Sequence, residues 1–189
     1  MARRTLYNID ECIIKAVIKI GANEGIGNVT ARKIADCCDI TDATVFVYFQ
    51  NKQNLLLQAY LYVCEWTNNV IDIIIENSLL DNTLTGEKWE KFFVKLVENV
   101  DKAKYFCGYR YSGKNVHDIK PSHKQIEICK KIVTKGNLTN TLSNSDYAVV
   151  WGSLMESIAY YVIQVADGRM ANSLGKYELI RELIFGGFR

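Results

Sequence analysis

The residues with the means to do chemistry gather between Thr30 and Lys52, in the stretch TARKIADCCDITDATVFVYFQNK. Thr30, Thr41 and Thr44 bring hydroxyls, Tyr48 a phenol, Asp42 a carboxylate, and Arg32 and Lys52 permanent positive charge. Hydroxyls and cations crowded at the ends of short helices grip phosphate oxygens and base edges. The rest of the chain offers no catalytic set to compete with this. His117 and His123 lie on either side of Pro121 and lack the i, i+4 spacing of a helical metal pair, so they read as solvated or hydrogen-bonded histidines. There is no nucleophile–base–acid grouping and no phosphate-binding glycine loop. The expectation is therefore a protein that is not an enzyme, with no metal and no cofactor.

Cysteines stand at 12, 37, 38, 64, 107 and 129. None forms a C-x-x-C, and none shares zinc-finger spacing with a histidine. They read as reduced, buried, small apolar residues. A thiol sensor at Cys37 and Cys38 is the chemical alternative.

Two short helices position the hydroxyls and charges. Thr30 is a good N-cap, followed by an apolar stripe of Ile34, Ala35 and Cys38. Asp39 stands where the chain must turn, since aspartate tolerates the left-handed conformation, and Ile40 plugs the turn. Thr41 caps a second helix whose Val45, Phe46 and Phe49 can face inward, with Val45 and Phe49 read as core. Helix, tight turn and helix is the helix-turn-helix arrangement, whose second helix lies in a major groove.

The longer segment GIGNVTARKIADCCDITDATVFVYFQNKQNL resembles the DNA-binding segment of tetracycline-repressor-like (TetR) transcriptional regulators. Gly25, Thr30, Arg32, Ile34, Ala35, Ile40, Thr41, Thr44, Val45, Phe46, Tyr48, Phe49 and Lys52 fall in that family's register without a gap. The resemblance spans roughly residues 8 to 57. It implies a DNA-reading surface of Thr30, Arg32, Thr41, Asp42, Ala43, Thr44, Phe46, Val47, Tyr48 and Lys52. Thr44 and Tyr48 match positions that commonly touch phosphate or bases, and Lys52 matches the lysine that holds the DNA backbone. Phe46 stands where the family usually has tyrosine, so a hydroxyl contact is absent. Asp42 stands where a polar or basic residue is common; a carboxylate there accepts from a cytosine amino group or repels phosphate.

Bulk composition alone would not point to nucleic acid. The 189 residues are 49% hydrophobic and 23% charged with a formal net charge of +2, ordinary for a soluble globular protein. Through Lys52 the chain carries seven basic and six acidic residues. A single proline, Pro121, and few turn signals favour an all-helical chain. The apolar runs IIKAVIKI and VIDIII are too short to span a bilayer, and MARRTLYNIDE lacks a signal peptide's apolar segment. A cytoplasmic protein without membrane contact is expected.

Periodicity lays out the helices. The first covers residues 8 to 24, with Asn8 or Asp10 as cap, a stripe of Ile9, Ile13, Ala16, Val17 and Ile20, and Gly25 as stop. Arg3 and Arg4 before it form a basic tail or a minor-groove arm. Lys52 opens a long helix to about Asn77. LLDNTLTGE follows as a turn, then an amphipathic helix over 86 to 104. Residues 105 to 120, YFCGYRYSGKNVHDIK, show no clean period and read as an irregular connection. A helix from Pro121 to about Lys135, the polar loop GNLTNTLSNS, a strong helix over 146 to 167 capped by Asn144 or Ser145, and a last helix over 173 to 185 complete the chain.

The resemblance implies an all-α fold. A three-helix N-terminal head at 6–52 contains the helix-turn-helix, and a larger helical body at 53–189 serves ligand binding and dimerisation. The last two long helices would join a second copy as a four-helix bundle, consistent with their apolar character on more than one side. A small-molecule pocket is implied among the body aromatics Trp89, Phe93, Tyr105, Tyr109 and Trp151, its effector unknown. The expected partner is a near-palindromic double-stranded DNA operator, released when the effector tilts the long helix. Two other readings stay open: a redox-responsive regulator of the same fold, and a helical binding protein that has lost DNA binding.

Overall fold

The computed structural model describes residues 9–74, 86–113, 123, 125–127, 129–130 and 143–185, and every regular element among them is helical. The all-α class follows. In chain order the elements are α1 (Ile9–Glu24), a 3-10 turn (Ile26–Asn28), α2 (Ala31–Cys38), α3 (Asp42–Phe49), α4 (Lys52–Ile74), α5 (Gly86–Val97), α6 (Val100–Arg110), α7 (Asn144–Ala166) and α8 (Leu174–Phe185). The residues described between 123 and 130 are also helical, inside the helix expected from Pro121. The arginine arm, Asn8, most of the turn at 79–87, the segment holding His117, and the polar loop before Ser143 lie outside the described residues.

The chain divides into two compact units, Met1–Glu65 with Lys104–Lys114, and Trp66–Ala103 with Asn115–Arg189. In the first unit α1 buries more than the expected stripe. Ile14 and Ile18 are sealed along with Ile13, Ala16, Val17 and Ile20. Asp10 sits inside the first turn of α1 and is not its cap. Gly25 stops the helix as expected. Its φ of 91° is a conformation side chains rarely adopt, and its amide donates to the Gly21 carbonyl at 3.1 Å. Leu55, Leu56, Ala59, Tyr60 and Val63 form the buried side of α4, each large aliphatic contributing about 1.5–3 kcal/mol on leaving water.

The structure corrects two boundaries. The helix expected over 86 to 104 breaks at Glu98–Asn99, where α5 ends and α6 begins. The stretch expected to be irregular from 105 is helical through Arg110 and turns only at 111–113. The reason is tertiary. Tyr105, Phe106 and Tyr109 of α6 are buried, and the Tyr105 hydroxyl donates to the Leu56 carbonyl at 2.9 Å. Tyr60 stacks on Phe106 and Tyr109 at 5.4 and 4.8 Å between ring centroids. α1 admits this packing at Gly21, where an added Cβ would fall 2.7 Å from the Tyr105 ring.

In the second unit α5 presents Trp89, Phe92, Phe93 and Leu96 to α7 and α8. Phe93 meets Tyr177 of α8 at 4.8 Å between centroids, and the Trp89 indole N–H donates to the Tyr177 carbonyl. α7 contributes Trp151, Met155, Ile158, Ala159, Val162 and Val165. Its cap is Ser143, one residue before the expected Asn144. The Ser143 hydroxyl accepts from the Asp146 amide at 3.3 Å, and the Asp146 carboxylate accepts from the Ser143 amide at 2.7 Å. The Ser143 hydroxyl also donates to that carboxylate at 2.7 Å, and this bond, with the one from the Ser143 amide, holds the Asp146 carboxyl below its ordinary pKa. Contrary to the sequence reading of apolar runs, α7 is long and apolar enough to cross a bilayer by length and composition alone, over Asp146–Ala166. It begins with a charged capping pair and buries one face against α5 and α8.

Candidate functional site

Local chemistry builds the helix-turn-helix. The Thr30 hydroxyl accepts from the Lys33 amide at 3.3 Å, and the Thr41 hydroxyl accepts from the Thr44 amide at the same distance. Each cap is worth about 1 kcal/mol. Between the helices Asp39 adopts the left-handed conformation at φ 56°, as its position in the turn requires. Ile34 and Ala35 of α2 and Val45 and Phe49 of α3 are buried, so each short helix is anchored by one apolar edge.

The opposite edge of α3 faces out. Phe46 is 41% exposed, Val47 79% and Tyr48 47%; Phe46 is therefore not the inward residue its apolar type suggested. Thr41, Asp42 and Ala43 are exposed and Thr44 half-buried. The Thr41 and Thr44 hydroxyls lie 2.8 Å apart, one donating to the other, which leaves hydrogen-bonding capacity facing outward at the start of α3. The structure thus brings Thr41, Asp42, Ala43, Thr44, Phe46, Val47 and Tyr48 together on one short helix, with neither Thr44 nor Tyr48 sealed in the interior.

The expected cations are placed less uniformly. Arg32 is exposed on α2. Its neighbour Lys33 forms an ion pair with Glu24 of α1. The Lys52 ammonium donates to the Gly27 carbonyl at 3.1 Å, tying the start of α4 to the 3-10 turn. Sequence reasoning gave Lys52 a phosphate contact and did not foresee this internal one. Asn51 before it accepts from the Asn54 amide at 2.9 Å, so the first turn of α4 is capped as well.

The aromatics expected to line a pocket fall into both units. Tyr105 and Tyr109 are buried in the first, stacked on each other at 6.3 Å. Burial pushes both phenols above their ordinary pKa, and both stay neutral at physiological pH. Trp89, Phe93 and Trp151 are buried in the second, with the tilted rings of Trp89 and Phe93 5.9 Å apart between centroids. Tyr111 and Tyr160, by contrast, are exposed.

The cysteines correct the sequence reading in one respect. Cys12 and Cys37 are exposed, and Cys129 alone is buried. The Cys12 thiol of α1 donates to the Cys38 sulfur of α2 at 2.8 Å. Nothing in the sequence signals a contact across so many residues. Among the described residues no group of three or more His, Cys, Asp or Glu could hold a metal ion.

With this geometry in view, the comparisons are specific for the head and broad for the whole. The profile of the bacterial regulatory proteins of the tetR family matches residues 13–59. No curated protein matches the chain. Among solved structures, a TetR-family transcription regulator from Marinobacter aquaeolei VT8 superposes with a TM-score of 0.64 at 18% identity, over 94% of this chain and 93% of that one. A TetR-family transcriptional regulator from Haemophilus influenzae Rd does so with a TM-score of 0.64 at 19% identity, over 98% of both chains. At such identities the likeness speaks for the fold. Residues 13–59 are therefore a tetR-family N-terminal domain, carried on a chain with the all-α fold of the solved TetR-family regulators.

Proposed function

We propose that the protein is a sequence-specific DNA-binding transcriptional regulator, most simply a repressor released by a small molecule. The observation that carries this reading is the division of α3. Val45 and Phe49 anchor it, while Asp42, Ala43, Phe46, Val47 and Tyr48 project outward from a helix whose start is capped by the Thr41 hydroxyl. A short helix fixed by one edge and free along the other suits a major groove. Thr30, Arg32 and Lys52 would meet phosphates, with Lys52 exchanging the Gly27 carbonyl for a phosphate oxygen. The head at 6–52 reads DNA, and the body at 53–189 dimerises and receives the effector.

Apolar residues exposed on α7 and α8, namely Val149, Tyr160, Leu174, Leu179 and Leu183, support a homodimer through those helices. Two heads on a two-fold axis read half-sites about 34–36 Å apart, hence a near-palindromic operator. The effector would lodge against Trp89, Phe93 and Trp151, and its entry would part rings now in contact, changing tryptophan fluorescence. Such a ligand loosens DNA tenfold when it prefers the non-binding geometry by about 1.4 kcal/mol. The protein works in the cytoplasm, by binding and not by catalysis.

The test is selection of bound duplexes from a random pool, followed by a salt titration. Enrichment of a near-palindrome is expected, with Lys52→Ala weakening all sequences and flattening the salt dependence by about one phosphate contact. Failure to enrich any sequence would favour a helical binding protein without DNA recognition.

The Cys12–Cys38 contact supports a second reading, a redox-responsive head. Burial pushes the Cys38 thiol up to about 12, so it stays protonated at neutral pH. The exposed Cys12 meets the oxidant first. Its sulfur takes one oxygen from a peroxide, giving a sulfenic acid and one water. The Cys38 sulfur then displaces the hydroxyl, which leaves with the Cys38 proton as a second water, and the S–S bond closes. Mass spectrometry after peroxide treatment should show one Cys12–Cys38 disulfide. Equal DNA binding in reducing and oxidising buffer would dismiss the redox reading.

A further inference from the structure

The outward edge of α3 has an unusual chemistry for a reading helix, and the inference drawn from it rests on the DNA-binding function proposed above. Its eight residues, DATVFVYF, hold no arginine, lysine, asparagine or glutamine. The bidentate contacts that read guanine and adenine are therefore absent from it. What it offers is apolar. Ala43, Phe46 and Val47 are all exposed and stand at i, i+3 and i+4, so they form one continuous strip on the outward face. Val47 is the most exposed large apolar side chain described in the chain. Polar groups flank the strip: the Thr41 and Thr44 hydroxyls at its start and the Tyr48 phenol beyond it.

A major groove presents one apolar feature of matching size, the C5-methyl group of a pyrimidine. We propose that Ala43, Phe46 and Val47 read C5-methylated pyrimidines, making methyl recognition the chief source of sequence specificity in this head. The methyl has two sources, thymine and 5-methylcytosine. The polar flanks favour a duplex over a protein partner, because phosphates border the groove on both sides and match hydroxyl donors there. Asp42, exposed at the helix start, adds an acceptor suited to a cytosine amino group beside the methylated base.

The experiment takes the full-length protein and selects duplexes from two random pools, one of ordinary DNA and one with 5-methylcytosine replacing cytosine. Each enriched site is then resynthesised with uracil for thymine, or cytosine for 5-methylcytosine, one position at a time. Removing a contacted methyl should raise Kd roughly fourfold, and removing all of them in both half-sites at least tenfold. Enrichment of thymines in the first pool identifies thymine as the source; enrichment only in the second identifies 5-methylcytosine. Val47→Ala should abolish the methyl effect at one position per half-site and keep it at the others. The exposure of Val47 means this variant folds, and its circular dichroism should match the parent. Sites that bind within twofold with and without every methyl would overturn methyl reading while leaving DNA binding intact. If neither pool is enriched in any sequence, DNA binding is removed and this inference with it.

Discussion

Both α3 and the α7–α8 pair expose apolar side chains, and they do so differently. On α3 the exposed strip is short, starts beside the Thr41 and Thr44 hydroxyls, and belongs to a helix whose other edge is anchored by Val45 and Phe49. On α7 and α8 the exposed residues are large aliphatics and a tyrosine spread from Val149 to Leu183, on helices whose other faces already fill the core of their unit. A small apolar strip amid donors fits a polar groove with methyl groups in it. A wide one made mainly of large aliphatics fits another apolar surface. Exposure alone does not assign a role; the polar groups around it do.

The comparison breaks most visibly at Leu183, 60% exposed on α8. Leu183→Glu should weaken self-association on the order of a hundredfold, since a symmetric interface meets the charge twice, and sedimentation should shift from dimer toward monomer. An unchanged sedimentation profile would detach α8 from the interface. The next largest effect tests packing. Gly21→Ala should cost about 2 kcal/mol, lowering Tm by roughly 4–8 °C, because the Tyr105 ring must give way. Gly175→Ala in α8 has nothing within 4 Å of the new methyl and should be neutral or stabilising by up to about 1 kcal/mol.

Capping should be equal in the two regions. Thr41→Ala and Ser143→Ala each remove a helix cap and should each lower Tm by about 2–4 °C. Only Thr41→Ala should also weaken DNA binding. The smallest change expected is Val47→Ser, within about 0.5 kcal/mol in stability, since the side chain touches little. A large loss of stability there would mean that the outward face of α3 is packed against something.

The helix-turn-helix was legible in the sequence because its signals are local. Threonine caps sit at both helix starts, an aspartate sits at the left-handed turn position, and apolar residues recur within one turn. The same locality made the main helices of the body readable. What escaped depends on contacts across the chain. α6 was hidden because Gly108 and its charges blur the period, and its burial depends on the gap that Gly21 leaves in α1 and on the ring of Tyr60 in α4. The Cys12–Cys38 contact was invisible for the same reason, as was the tie between Lys52 and Gly27. The outward turn of Phe46 was missed because the spacing i, i+1 and i+4 lets Val45, Phe46 and Phe49 share one edge, and which of them is covered depends on the helices packed against α3.

Two residues bracket α3 with left-handed backbone, Asp39 before its cap at φ 56° and Gln50 after its end at φ 62°. Neither is glycine, and Gln50 gains little from its own side chain in that conformation. An isolated peptide spanning this stretch would stay a coil, because the surrounding helices supply what holds both bends. The short helix α3 is then held in shape by the seating of Val45 and Phe49. A partly unfolded chain would therefore present no ordered α3, whatever the state of its other helices.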